Sequence, residues 1–166
     1  VLLSGDMLPL HSFAWIQAFC RQTRFALQPR HGLSERQVRA NAERFVQIAP
    51  YFGLSVDQLR KQNMFFVIQR EAICRIIESA SVDDFPLLQL ADEYYWVNHL
   101  IRIGAEWQSS NIVFCNSDPT RTQAQVMRLT PALLESCRND GYGFIRKITS
   151  LDDQVRADLQ VVYESI

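Results

Sequence analysis

Apolar residues recur at spacings of three and four along most of this chain, and only three short stretches break that rhythm. From Leu10 to Leu27, the positions Phe13, Ile16, Phe19, Cys20 and Leu27 predict an amphipathic helix opened near Ser12 or His11. It is ended by Gln28-Pro29-Arg30-His31-Gly32. Two further helix starts are marked at Ser34 and Ser55. Phe65 to Ile68 reads as a strand beginning, and the helical period resumes from Gln69. Leu87 to Gln108 reads as the longest helix, with Pro86 suited to its first turn and Gly104 inside it costing about 1 kcal/mol. Asn111 to Cys115 is a short apolar run. A helix predicted from Ser117 or Asp118, with Pro119 as its first residue, bends or restarts at Thr130-Pro131 and ends at Asn139-Asp140-Gly141. Tyr142 to Ile148 alternates with period two and is the best strand candidate, a partner for residues 112–115. Ser150 to Ile166 closes the chain as a helix capped by Ser150. The expected fold class is mainly α: a multi-helix single domain with one small two-stranded element, 112–115 with 142–148.

One pattern occurs twice. Gly32 to Arg39 and Gly53 to Arg60 share G-L-S-x-x-Q-[V/L]-R. Each copy supplies a turn glycine, a serine N-cap and a glutamine three residues on, the arrangement of a capping box. The second copy sits inside Asn41 to Asn63, NAERFVQIAPYFGLSVDQLRKQN, which reads as a helix, a tight turn at Gly53 and a second helix.

Across residues 45–64 this stretch resembles the helix-turn-helix of DNA-binding regulators. Ala49 stands where the first helix needs a small side chain, and Gly53 where the turn needs a left-handed backbone. Ile48, Leu54 and Leu59 match the apolar positions that lock the two helices together. The resemblance implies that Ser55 to Asn63 is a recognition helix entering the major groove. Ser55, Gln58, Arg60, Lys61 and Gln62 are then the DNA-binding residues, glutamine pairing with adenine and arginine or lysine with guanine or phosphate. Pro50, directly after Ala49, departs from the pattern because it removes a backbone donor, and Asp57 sets a negative charge where DNA is expected.

Charge sharpens this picture. The formal net charge of −1 hides an asymmetry: residues 1–75 carry ten Arg and Lys against five Asp and Glu, and residues 76–166 carry seven against thirteen. A basic N-terminal part (1–80) and an acidic C-terminal part (81–166), packed as one domain, suit a polyanion partner for one end. With 48% apolar and 21% charged residues the composition is globular. No apolar run approaches the roughly 18 residues of a membrane span. The opening VLLSGDMLPLHSF has no basic region and carries Asp6, unlike a signal peptide. The four cysteines form no C-x-x-C pair and none lies at ligand spacing from a histidine, so no metal site is expected and a reducing cytoplasm is.

Other chemistry is sparse. Asp92-Glu93-Tyr94-Tyr95-Trp96 with His99 offers an acid and a base about two turns apart, but nothing beside them supplies a nucleophile or a phosphate loop. Trp15, Trp96 and Trp107 read as core. Neither an enzyme nor a cofactor is expected. The sequence therefore points to a DNA-binding transcriptional regulator, dimeric because one short helix reads few base pairs. The alternative is an all-helical protein–protein interaction subunit that binds no DNA.

Overall fold

The computed structural model describes residues 7–28, 33–116 and 127–164. These residues form six helices and eight short strands, and the strands assemble into three small sheets. The expectation of a mainly helical fold with one small β element is thus corrected: the fold is mixed α/β. Most of the strands are two to four residues long, too short to display the alternation by which a strand is read.

The first correction falls near the start. Strand β1 (Met7–Pro9) leads into α1 (Phe13–Phe19), capped by Ser12, whose hydroxyl accepts the Trp15 N–H. The helix expected over residues 10–27 ends at Phe19, because Arg24 Nε donates to the Phe19 carbonyl at 2.8 Å and satisfies that end. Residues 24–27 instead form β2 (Arg24–Leu27), the middle strand of a sheet. On one side it pairs antiparallel with β3 (Gln62–Val67), and on the other parallel with β4 (Gln108–Ser109).

Between β2 and β3 lies α2 (Glu35–Phe52), the longest helix, opened by a complete capping box between Ser34 and Gln37. Gly53 ends it at φ 63°, and the Leu54 N–H returns to the Ala49 carbonyl. Pro50 is accommodated in the last turn without ending the helix. After β3 come α3 (Arg70–Ser79) and α4 (Asp92–Arg102). The long helix expected over 87–108 is therefore only 11 residues. Residues 80–91 are loop, and Gly104 lies beyond the helix at φ 62°, where glycine costs least.

In the second sheet, β5 (Val113–Phe114) runs parallel to β7 (Phe144–Arg146), as the pairing of 112–115 with 142–148 anticipated, and β1 adds antiparallel on the far side. A third sheet joins β6 (Met127–Leu129) to β8 (Ile148–Leu151). Thr130 caps α5 (Pro131–Asn139), so the bend or restart expected at Thr130-Pro131 is a helix start, with Pro131 in its first turn. The last helix, α6 (Asp153–Glu164), starts later than expected, because Ser150 belongs to β8 and Asp152 accepts the Gln154 N–H instead. The helix start expected at Asn116 to Pro119 runs into residues 117–126, outside the described residues.

Helix α4 lies on β3 and against α2 and α3, and it carries unusual buried polarity. Asn98 is 0% exposed; its Oδ1 accepts the Arg60 N–H at 2.8 Å, and its Nδ2 donates to the carbonyls of Arg60 (2.8 Å) and Tyr94 (2.6 Å). Gln62, also 0% exposed, accepts the Val97 N–H at 2.9 Å. Tyr94 donates to Asn41 of α2 at 2.9 Å. Helix α4 thus holds Arg60 by its backbone and Gln62 by its side chain. Asn98→Ala leaves the Arg60 N–H and C=O short of a partner, while the Tyr94 carbonyl keeps its helical bond, and buried unsatisfied groups cost about 1–3 kcal/mol. The variant is expected to lose about 2–4 kcal/mol of stability in urea unfolding, against less than about 0.5 for Asn139→Ala on the surface of α5.

Candidate functional site

The proposed recognition segment does not form a helix. Ser55 and Gln58 make only half of the capping box: Gln58 Oε1 accepts both the Ser55 N–H (3.0 Å) and its hydroxyl (2.8 Å), but the Gln58 N–H returns to the Ser55 carbonyl instead of the hydroxyl. The turn then stops at Gln58. Leu59 is fully buried, Asn98 holds the Arg60 backbone, and β3 begins at Gln62. A helix through 59–62 would have to give up all three.

The five expected DNA-binding residues are consequently split. Ser55 and Gln58 are exposed but bonded to each other. Arg60 donates to the carbonyls of Asp57 (2.6 Å) and Leu59 (2.8 Å). Lys61 is paired with Glu93 at 3.0 Å, and Gln62 is in the core. They share no exposed face. Ala49, small in anticipation of a crossing helix, packs beside the cluster of Ile48, Phe52, Leu59 and Tyr94.

The acid–base stretch around His99 is also redistributed. Glu93 is occupied by Lys61. His99 is 0% exposed and enclosed by the rings of Tyr51, Phe52 and Tyr95, at 5.5, 4.9 and 4.4 Å between centroids. The Tyr51 hydroxyl donates to the Ser81 carbonyl at 2.7 Å, so the proton in its 3.3 Å contact with His99 sits on Nε2. Nδ1 is then a bare, buried lone pair with no partner. Burial, and after it the Arg102 charge, lower the His99 pKa to about 4. Burial, with the Tyr95 hydroxyl next, pushes Tyr51 up to about 12. Both groups stay neutral near pH 7, and together they anchor α2, α4 and the end of α3.

What they anchor is the feature the sequence concealed. The loop 80–91 sends Phe85 inward against Tyr51, Phe52 and Tyr95, and Leu88 into the same cluster. Arg44 of α2 adds a hydrogen bond to Gln89. Three of the loop's other apolar residues point out. Val82 is 71% exposed, Leu87 105% and Leu90 45%. Leu90 adopts φ 64°, a left-handed backbone costing a residue with a Cβ about 1–2 kcal/mol. The sequence reads Leu87 as the start of the longest helix; Asp83, Asp84 and Pro86 suit a helix start and a loop equally well, so no local signal separates the two.

Trp15 is half-buried, stacked between His11 (3.7 Å) and Phe19 (4.9 Å), and Trp107 sits edge-on to Phe25 at 6.2 Å. Among the described residues no group of histidine, cysteine or acidic side chains could hold a metal ion, and no helix is long and apolar enough to cross a membrane. Comparison with protein-family models, curated proteins and solved structures finds no match for this chain.

The neutral, buried His99 makes stability depend on pH. Its folded pKa lies below the ordinary 6.5, so the unfolded chain takes up the proton first. Its contribution is flat above about pH 7, falls as the pH drops from about 6.5 to about 4, and levels off below, for a total of about 3 kcal/mol. His99→Phe should flatten the fall between about pH 6.5 and 5. Urea unfolding of both proteins across that range checks this, and an unchanged slope would exclude His99 as its source.

Proposed function

We propose that this chain is a protein-interaction subunit that docks a partner through the loop 80–91. The observation that carries this reading is the outward display of Val82, Leu87 and Leu90 from a loop whose other apolar residues, Phe85 and Leu88, hold it down. A loop with one inward and one outward apolar set is not simply a solvated connection. A lone exposed leucine needs no explanation, whereas three apolar side chains turned to solvent from one anchored loop fit a binding surface. Asp83 and Asp84 are exposed beside it and give the surface an acidic rim, which favours a partner with an apolar face bordered by basic residues.

The DNA-reading alternative has lost its recognition helix, and a dimer formed to place two such helices loses its rationale with it. Self-association through the loop is a separate outcome that the same experiment reads. Tagged wild-type protein, Val82→Asp/Leu87→Asp and, as control, Val161→Asp on α6 are compared by quantitative affinity capture and sedimentation. The expected result is a defined partner, or a second copy of the chain, lost only in the loop variant. Identical capture and sedimentation for all three would sink the proposal. A low-salt mobility shift with random-sequence DNA should show no retardation; a salt-sensitive shift would favour the DNA reading instead.

A further inference from the structure

At the opposite end of α3 from Val82 lies an open cleft of about 800 Å³, within the usual range for small-molecule sites. Three connections meet there: the α1–β2 turn, the start of α3, and the segment from α4 to β4. Thr23, 5% exposed, ties them together. Its hydroxyl accepts the Gln69 N–H at 3.1 Å and its carbonyl accepts the Gln108 N–H at 3.0 Å. The Gln69 side chain donates to the Cys20 carbonyl at 2.7 Å. The cleft's base is thus built from a hydrogen-bonded frame.

Its walls carry charges of both signs: Arg21 and Arg75, and Glu71 and Glu106. Among the described residues none of the four is ion-paired. Arg75 is steadied by donating to the Ile103 carbonyl at 2.7 Å. Ala72, Ala105 and Trp107 add apolar surface. Opposite charges that line one cleft without pairing across it match a ligand that brings both charges itself. A phosphate ligand would meet two carboxylates, and a polyamine two guanidiniums.

We infer that this cleft binds a small zwitterion with an apolar side chain, a free α-amino acid or a short peptide. The guanidiniums take the carboxylate, the glutamates take the ammonium group, and the side chain lies toward Trp107. This site is separate from the docking loop and stands or falls without it.

Titration calorimetry with L-leucine and with L-alanyl-L-leucine tests the inference and distinguishes the two sources. Saturable binding of one of them at a Kd of about 1 mM or tighter is expected. Acetylating the amino end and amidating the carboxyl end should each weaken it about tenfold or more, because each removes charge-assisted hydrogen bonds. Arg21→Gln and Glu106→Gln, both at the surface, should do the same while their unfolding midpoints stay at the wild-type value. No saturable binding up to about 10 mM, a loss on only one of the two caps, or variants that bind like wild type would overturn it.

Discussion

The rest of this structure depends on the grip of Asn98 on the Arg60 backbone. A buried amide side chain is tolerated only when its donors and acceptors are matched, and Asn98 matches them with one segment's N–H and C=O and a carbonyl of its own helix. The Asn98 side chain thereby stands in for a neighbouring strand at Arg60. Gln62, Tyr94 and His99 extend the same line of polar contacts to β3, α2 and the end of α3. Apolar packing alone tolerates sliding between elements. These directional bonds do not.

That grip decides which surfaces are left to act. The segment that most resembles a DNA-reading helix sends Leu59 and Gln62 into the core, and its lysine is paired with Glu93. The loop 80–91, by contrast, is anchored by Tyr51, Phe85 and Leu88 yet turns three apolar residues to solvent. Anchoring matters for recognition, because a loop already held in place loses less entropy on binding. The cleft at the other end of α3 follows the same logic, with Thr23 holding the frame from which unpaired charges project.

The two G-L-S-x-x-Q copies form an internal comparison of what local sequence can specify. The first copy completes its capping box, Ser34 with Gln37; the second makes half of it, since Gln58 Oε1 accepts the Ser55 N–H but the Gln58 N–H goes to the Ser55 carbonyl. After Ser34 the helix runs for 18 residues; after Ser55 it stops within one turn. The cap is local and legible, but propagation depends on what lies beyond. Behind the second copy stand Leu59, bound for the core, and Phe65-Phe66-Val67, suited to a strand. Across from it, 38 residues away in sequence, stands Asn98.

Sequence by itself determined the local punctuation: the caps at Ser12 and Ser34, the left-handed turn at Gly53, the break at Thr130-Pro131, and the pairing of residues near 112–115 with those near 142–148. Each rests on a backbone preference or hydrogen bond spanning a few residues, or on an apolar run long enough to read. Tertiary structure decided how far the helices extend, that two- and three-residue segments become strands, and that Leu87 faces water while Gln62 and His99 face the core. Those outcomes turn on partners tens of residues away. A short strand exists only once its neighbour supplies the hydrogen bonds, and a buried amide is stable only once the backbone it binds has been brought alongside.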